Sequence, residues 1–141
     1  PLKRVGKAAC SICITLFIKR KYMIDRTIYK FMRNFFTKEK KALLISGARQ
    51  VGKTFAVRHI GNEMFERVVE LNFIENPSLK ALFANPRNSQ EMLLRLSAYA
   101  GGNLKKGQTL FFFDEIQECP DILTAIKFLV DEGSYRYVLS G

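Results

Sequence analysis

A chain of 141 residues, 48% of them apolar, can bury one substantial core, which excludes wholesale disorder and suggests a single globular domain or a piece of one. Charged residues make up 26% and Gly and Pro are ordinary, which excludes fibrous and low-complexity classes. The net charge of +10 invites a nucleic-acid reading, since Lys and Arg neutralise phosphates. Yet six basic residues (Lys3, Arg4, Lys7, Lys19, Arg20, Lys21) and no acid precede Met23, so seventeen basic residues face thirteen acidic ones beyond it. A DNA-binding basic face is therefore a weakly supported partner surface.

The apolar run from Ala8 to Ile18, flanked by basic clusters, superficially resembles a secretory signal. It is too short to cross a bilayer, which takes roughly 20 apolar residues. Lys19-Arg20-Lys21 also stands where small residues would define a cleavage site. Met23 is the expected start of the domain (23–141), with residues 1–22 an upstream extension outside it. Cys10 and Cys13 form a C-x-x-C pair, but only His59 and Cys119 are left to complete the four ligands that a zinc site needs. Reduced thiols, a cytoplasmic location and no membrane association are the expectation.

From Met23 the spacing of Ile24, Ile28, Phe31, Met32 and Phe35 predicts an amphipathic helix. The continuous apolar run Ala42 to Ser46 predicts a parallel strand buried on both faces. A helix follows over Thr54 to Ile60 and a second strand over Arg67 to Asn72. Helices are predicted over Pro77 to Phe83 and Ser89 to Ala100, before a loop from Gly101 to Gly107. Thr109 to Phe113 predicts a third strand, Asp121 to Val130 a helix, and Tyr135 to Ser140 a fourth strand. This alternation implies an α/β fold, a parallel sheet between two helical layers with ligands at the carboxyl ends of its strands.

Gly47-Ala48-Arg49-Gln50-Val51-Gly52-Lys53-Thr54 fits the phosphate-loop pattern G-x-x-x-x-G-K-[ST], placed after a buried strand and before a helix. Glycines let the backbone turn successive N–H groups toward phosphate oxygens, and the helix N-terminus adds its partial positive charge. Lys53 would place a point charge on the β- and γ-phosphates and Thr54 would be a magnesium ligand. Arg49 and Gln50 suit either phosphate or partner contact, or a solvated loop face.

Asp114 ends the apolar run TLFFF, where its carboxylate would meet magnesium at the strand tip, and Glu115 would orient and deprotonate the attacking water. Acids before a helix also serve as caps, the competing reading of this pair. Ser140 would place a hydroxyl near the γ-phosphate if the fourth strand lies between the first and third. A turn serine is the plainer alternative. Gln117 suits the same water network or a loop position, and His59 a helix surface.

The strings LLISGARQVGKT (Leu43 to Thr54), LFFFDEIQECPDIL (Leu110 to Leu123) and YVLSG (Tyr137 to Gly141) resemble those of a prokaryotic AAA-type ATPase family marked by a G-A-R-Q-V-G-K-T loop. The likeness covers Met23 to Gly141 in order and spacing. It implies a three-layer P-loop NTPase core, incomplete at its C-terminal end, with Gly47 to Thr54 as Walker A, Asp114-Glu115 as Walker B and Ser140 at the sensor position. It also implies ATP and magnesium as ligands. Family members continue into a fifth core strand beside the phosphate-loop strand, a small helical or winged-helix part and a further domain. An N-terminal fragment with an open, association-prone edge is thus expected, lacking any distal arginine that would contact the γ-phosphate.

The expected function is ATP binding with magnesium-dependent hydrolysis in the full-length protein, impaired in the fragment. A regulatory nucleotide switch with little turnover and a small-molecule P-loop kinase are the alternatives. A homo-oligomer or a protein partner would accompany AAA-type assembly.

Overall fold

The strand Thr109–Asp114 is buried along its whole length, and its side chains alternate between two cores, as strand geometry requires. Phe111 and Phe113 enter one, and Leu110 and Phe112 enter the other. The computed structural model describes residues 3–4, 13–18, 26–49 and 51–141. In chain order the elements are β1 (Lys3–Arg4), β2 (Cys13–Ile18), α1 (Arg26–Lys38), β3 (Ala42–Gly47), α2 (Lys53–Met64) and β4 (Arg67–Asn72). They continue with α3 (Ser89–Ala100), β5 (Thr109–Asp114), α4 (Ile122–Glu132) and β6 (Arg136–Ser140). Short 3-10 helices span Pro77–Phe83 and Ile116–Glu118.

The described strands form one six-stranded sheet in the order β1-β2-β3-β6-β5-β4. From β3 to β4 every pairing is parallel. The core of the fold is therefore α/β with a parallel sheet and flanking helices, as the alternation of elements predicts. β6 lies between β3 and β5, the order on which the sequence reading of Ser140 depends.

Two cores make the layers. On one face Ala42 of β3, Tyr137 and Leu139 of β6, and Phe111 and Phe113 of β5 pack with Leu96 of α3 and Ile126 and Leu129 of α4. On the other, Leu43, Ile45, Val138 and Phe112 pack with Ile28, Met32 and Phe35 of α1 and Val57 and Ile60 of α2. The amphipathic face read from the sequence is the buried face of α1, though Ile24 and Met23 lie outside the described residues. Each fully buried large apolar side chain contributes about 1.5–3 kcal/mol, and these cores fix the sheet that carries the strand tips.

The helix predicted over Pro77 to Phe83 is of the 3-10 type, started by Pro77, with Leu79 and Phe83 buried. The edge of β3 differs from the sequence reading: it is not open. β2 pairs with it in parallel over all six residues, from Cys13 opposite Ala42 to Ile18 opposite Gly47, and β1 pairs antiparallel with β2. Both strands fall in the stretch 1–22 that the sequence analysis sets apart. Cys10, Lys7 and Lys19 to Lys21 lie outside the described residues.

Candidate nucleotide site

Parallel strands bring the tips of β3, β4, β5 and β6 to one end of the sheet, and the loop after β3 runs there into α2. Gly52, immediately before α2, has φ 88° and ψ 19°, a left-handed conformation that a Cβ would strain. That turn directs the chain into the helix, whose first intrahelical bond runs from Ala56 N to Gly52 O at 3.0 Å. The amides of the first turn point out of the helix end toward the loop, where the helix dipole favours an anion.

Lys53 folds back over the loop, its ammonium donating to the carbonyls of Gly47 at 2.7 Å and Ala48 at 3.1 Å. Val51 is buried and anchors the loop in the core with α1 and α2, while Arg49 is exposed. Gln50 lies outside the described residues.

Asp114 is 3% exposed, and four donors converge on its carboxylate. Thr54 Oγ1 lies 2.8 Å from Oδ2 and Asn72 Nδ2 lies 3.4 Å from the same oxygen. Oδ1 accepts from the Glu115 amide at 3.0 Å and from the Ser140 hydroxyl. The residues singled out on three separate segments, Thr54, Asp114 and Ser140, thus form one bonded cluster around a buried carboxylate, which relieves the desolvation that burial imposes. Neither acid caps a helix: Asp121 occupies the position before α4, and Glu115 precedes the 3-10 turn without a side-chain cap bond.

Glu115 has φ 59° and ψ 49°, an uncommon backbone for a residue with a Cβ that costs on the order of 1–3 kcal/mol. This turn aims the half-buried carboxylate away from the strand, where the Gln117 side-chain amide donates to it. Gln117 therefore touches the predicted base directly.

Sequence reasoning missed Asn72. It sits opposite Asp114 in the β4–β5 register, and its Oδ1 accepts from the amides of Ile74 and Glu75, both at 3.0 Å. That turn fixes the side chain so that its amide nitrogen faces Asp114. The available signal was a polar residue closing an apolar strand that pairs with the acidic one. Arg58 lies one turn beyond Thr54 on α2, in an exposed ion pair. Its guanidinium donates to both oxygens of Glu70 at 2.8 and 2.7 Å, and that bond, with the nearby charges of Glu70 and Asp114 adding to it, holds the arginine pKa above its ordinary value. His59 is exposed, with its ring between those of Tyr29 and Phe55.

The donor set fits magnesium. A threonine hydroxyl and a buried carboxylate are hard oxygen ligands, and they already lie within hydrogen-bond distance of each other. No helix among the described residues is long and apolar enough to cross a membrane.

A family model described as an AAA domain matches residues 39–141. Comparisons with curated proteins and with solved structures give no match. A match over most of the chain, on a parallel α/β core with the phosphate-type loop at its strand tips, shows that the chain belongs to the AAA domain family.

Proposed function

We propose that the chain binds ATP with magnesium at the loop Gly47 to Thr54 and hydrolyses it. The observation that carries this reading is the bond between Thr54, the last residue of the loop, and Asp114, at the tip of the next-but-one strand of the sheet. A structural serine or threonine at a helix start needs no buried acid opposite it. A magnesium site between loop and strand does.

In this reading the loop amides from Gly47 through Thr54 hold the β- and γ-phosphate oxygens, and Lys53 moves its ammonium from the two carbonyls onto those oxygens. Thr54 and Asp114 would hold the magnesium, which when bound neutralises charge on the phosphates. Glu115 accepts a proton from water as that water attacks the γ-phosphorus, and ADP leaves with the electron pair of the broken P–O bond. Ser140, Asn72 and the Glu115 amide keep the Asp114 carboxylate fixed, so they act as positioning groups. Gln117 holds the Glu115 carboxylate in place.

Calorimetry of ATP with magnesium on the 141-residue chain tests the binding step, and phosphate release tests the chemistry. Lys53→Ala is expected to abolish binding, and Glu115→Gln to keep binding while phosphate release falls by on the order of 100-fold or more. Tight ATP binding by the Lys53→Ala chain would overturn the site. Phosphate appearing on an added nucleoside, and not in solution, would turn the reading to a kinase. Tight binding without release by the wild-type chain would turn it to a switch.

A further inference from the structure

Parallel strands gather two sets of loops, and the set at their amino ends lies roughly 17–20 Å from the nucleotide loop, the length of a strand of five or six residues. There the segments leading into β3, β5 and β6 converge on a cavity of about 450 Å³. Its frame is bonded: the Gly107 amide donates to Ser134 O at 2.9 Å, and Arg136 donates to the carbonyl of Glu39. The three segments are therefore held against one another independently of any ligand.

The charges lining this cavity are unbalanced. Lys40, Lys106 and Arg136 face it together with one acid, Glu132. Both oxygens of Glu132 are already engaged by Ser134, one by its amide at 2.9 Å and the other by its hydroxyl. Among the described residues, Arg33, Arg58, Lys80, Arg95 and Lys105 each form an ion pair, the last with Glu66 although it adjoins Lys106. Lys40, Lys106 and Arg136 form none. Other described cations, Lys30, Lys41 and Lys127 among them, also stand outside ion pairs, but these three are gathered around one cavity.

Arg136 makes the point most sharply. It is half-buried at the start of β6, and burial pulls its pKa below the ordinary arginine value with no carboxylate to offset the loss. Its guanidinium presents five donors, of which the Glu39 carbonyl engages one nitrogen. A planar fork with free donors, beside two mobile ammonium groups, matches a tetrahedral oxyanion of more than one charge.

We propose that this cavity is a second anion site, which takes a phosphate group at the end of the sheet opposite the nucleotide loop. The phosphate is either a free or terminal one or a phosphodiester of a single-stranded nucleic acid. The chemistry that recognises them is shared, and the cavity is roomier than a bare phosphate requires.

The test uses the whole chain carrying Lys53→Ala, which removes the strongest competing phosphate contact. Its amide resonances are followed by NMR while inorganic phosphate is added, and separately a short single-stranded oligonucleotide. The expected result is a saturable shift at Gly107, Ser134 and Arg136 with at least one probe. Response to phosphate alone assigns a free or terminal phosphate, and response to the oligonucleotide assigns a phosphodiester. Lys40→Gln/Lys106→Gln is expected to weaken the binding by about tenfold and, with the oligonucleotide, to reduce the salt slope by about 0.7 per lysine. Lys30→Gln/Lys127→Gln removes the same charge from exposed positions outside the cavity and is expected to change little. Shifts missing from these loops with both probes would overturn the proposal. So would equal binding by the two double variants.

Discussion

Thr54 donates its hydroxyl to Asp114 Oδ2 across 2.8 Å, joining two residues sixty positions apart in the chain. One closes the phosphate-type loop and the other ends a strand that is buried throughout. If the pair holds magnesium, each substitution alone removes one ligand and disorders the other. Thr54→Ala and Asp114→Asn are each expected to reduce the magnesium-dependent tightening of ATP binding by on the order of tenfold or more. The double variant is expected to lose far less than the combined effect of the two singles, because the residues act as one unit. Calorimetry with and without magnesium measures this cycle, and strictly additive losses would count against a shared ion.

Ser140 completes the same cluster from the far side. Its hydroxyl donates to Asp114 Oδ1, and both residues are buried. Ser140→Ala leaves that oxygen with the Glu115 amide as its remaining donor, at a cost of about 1–3 kcal/mol in urea unfolding. Phosphate release is expected to fall more than ATP affinity, since the carboxylate loses its fixed orientation while the loop is unchanged. Equal losses in both would place Ser140 in the fold alone.

Most of this cluster was legible because each member sits at a change of pattern: a glycine-rich turn after ALLIS, an acid after TLFFF, a serine ending YVLS. Asn72 was not, because its partner is set by the register between β4 and β5, which no local pattern in RVVELN reveals. The order of strands was equally hidden. Apolar runs show that Leu43, Phe112 and Val138 are buried, but not that β6 separates β3 from β5. The pairing of Cys13–Ile18 was hidden for a related reason: its basic flanks suggest an extension, whereas backbone pairing with β3 depends on an edge that only the assembled sheet presents.

Gly61 shows how tightly α2 lies on the sheet. A Cβ there would come within 3.0 Å of Leu110 Cδ2 and 3.0 Å of Val68 Cγ2. Gly61→Val forces a branched side chain into that contact and is expected to destabilise the chain by about 1–3 kcal/mol. Denaturant unfolding measures it, with the lowered midpoint accompanied by an unchanged slope. A neutral result would mean that α2 shifts freely over β4 and β5.

Tyr137 is 1% exposed, its ring stacks with those of Phe111 and Phe113, and its hydroxyl is buried without a hydrogen-bond partner among the described residues. An unsatisfied buried hydroxyl costs about 1–3 kcal/mol, so Tyr137→Phe is expected to be neutral or stabilising by about 1 kcal/mol at neutral pH. Burial also raises the phenol pKa well above its ordinary value, with the charges of Glu132 and Tyr135 adding to the effect. Below about pH 10 the group is protonated in both states and contributes no pH dependence. Above that, the unfolded chain releases the proton while the folded one retains it, so stability falls as pH rises, by up to about 1.4 kcal/mol per unit. The difference between wild type and Tyr137→Phe in urea unfolding should therefore be flat up to about pH 10 and widen beyond it in favour of the variant. Parallel curves through that range would show that the hydroxyl finds a partner or reaches solvent.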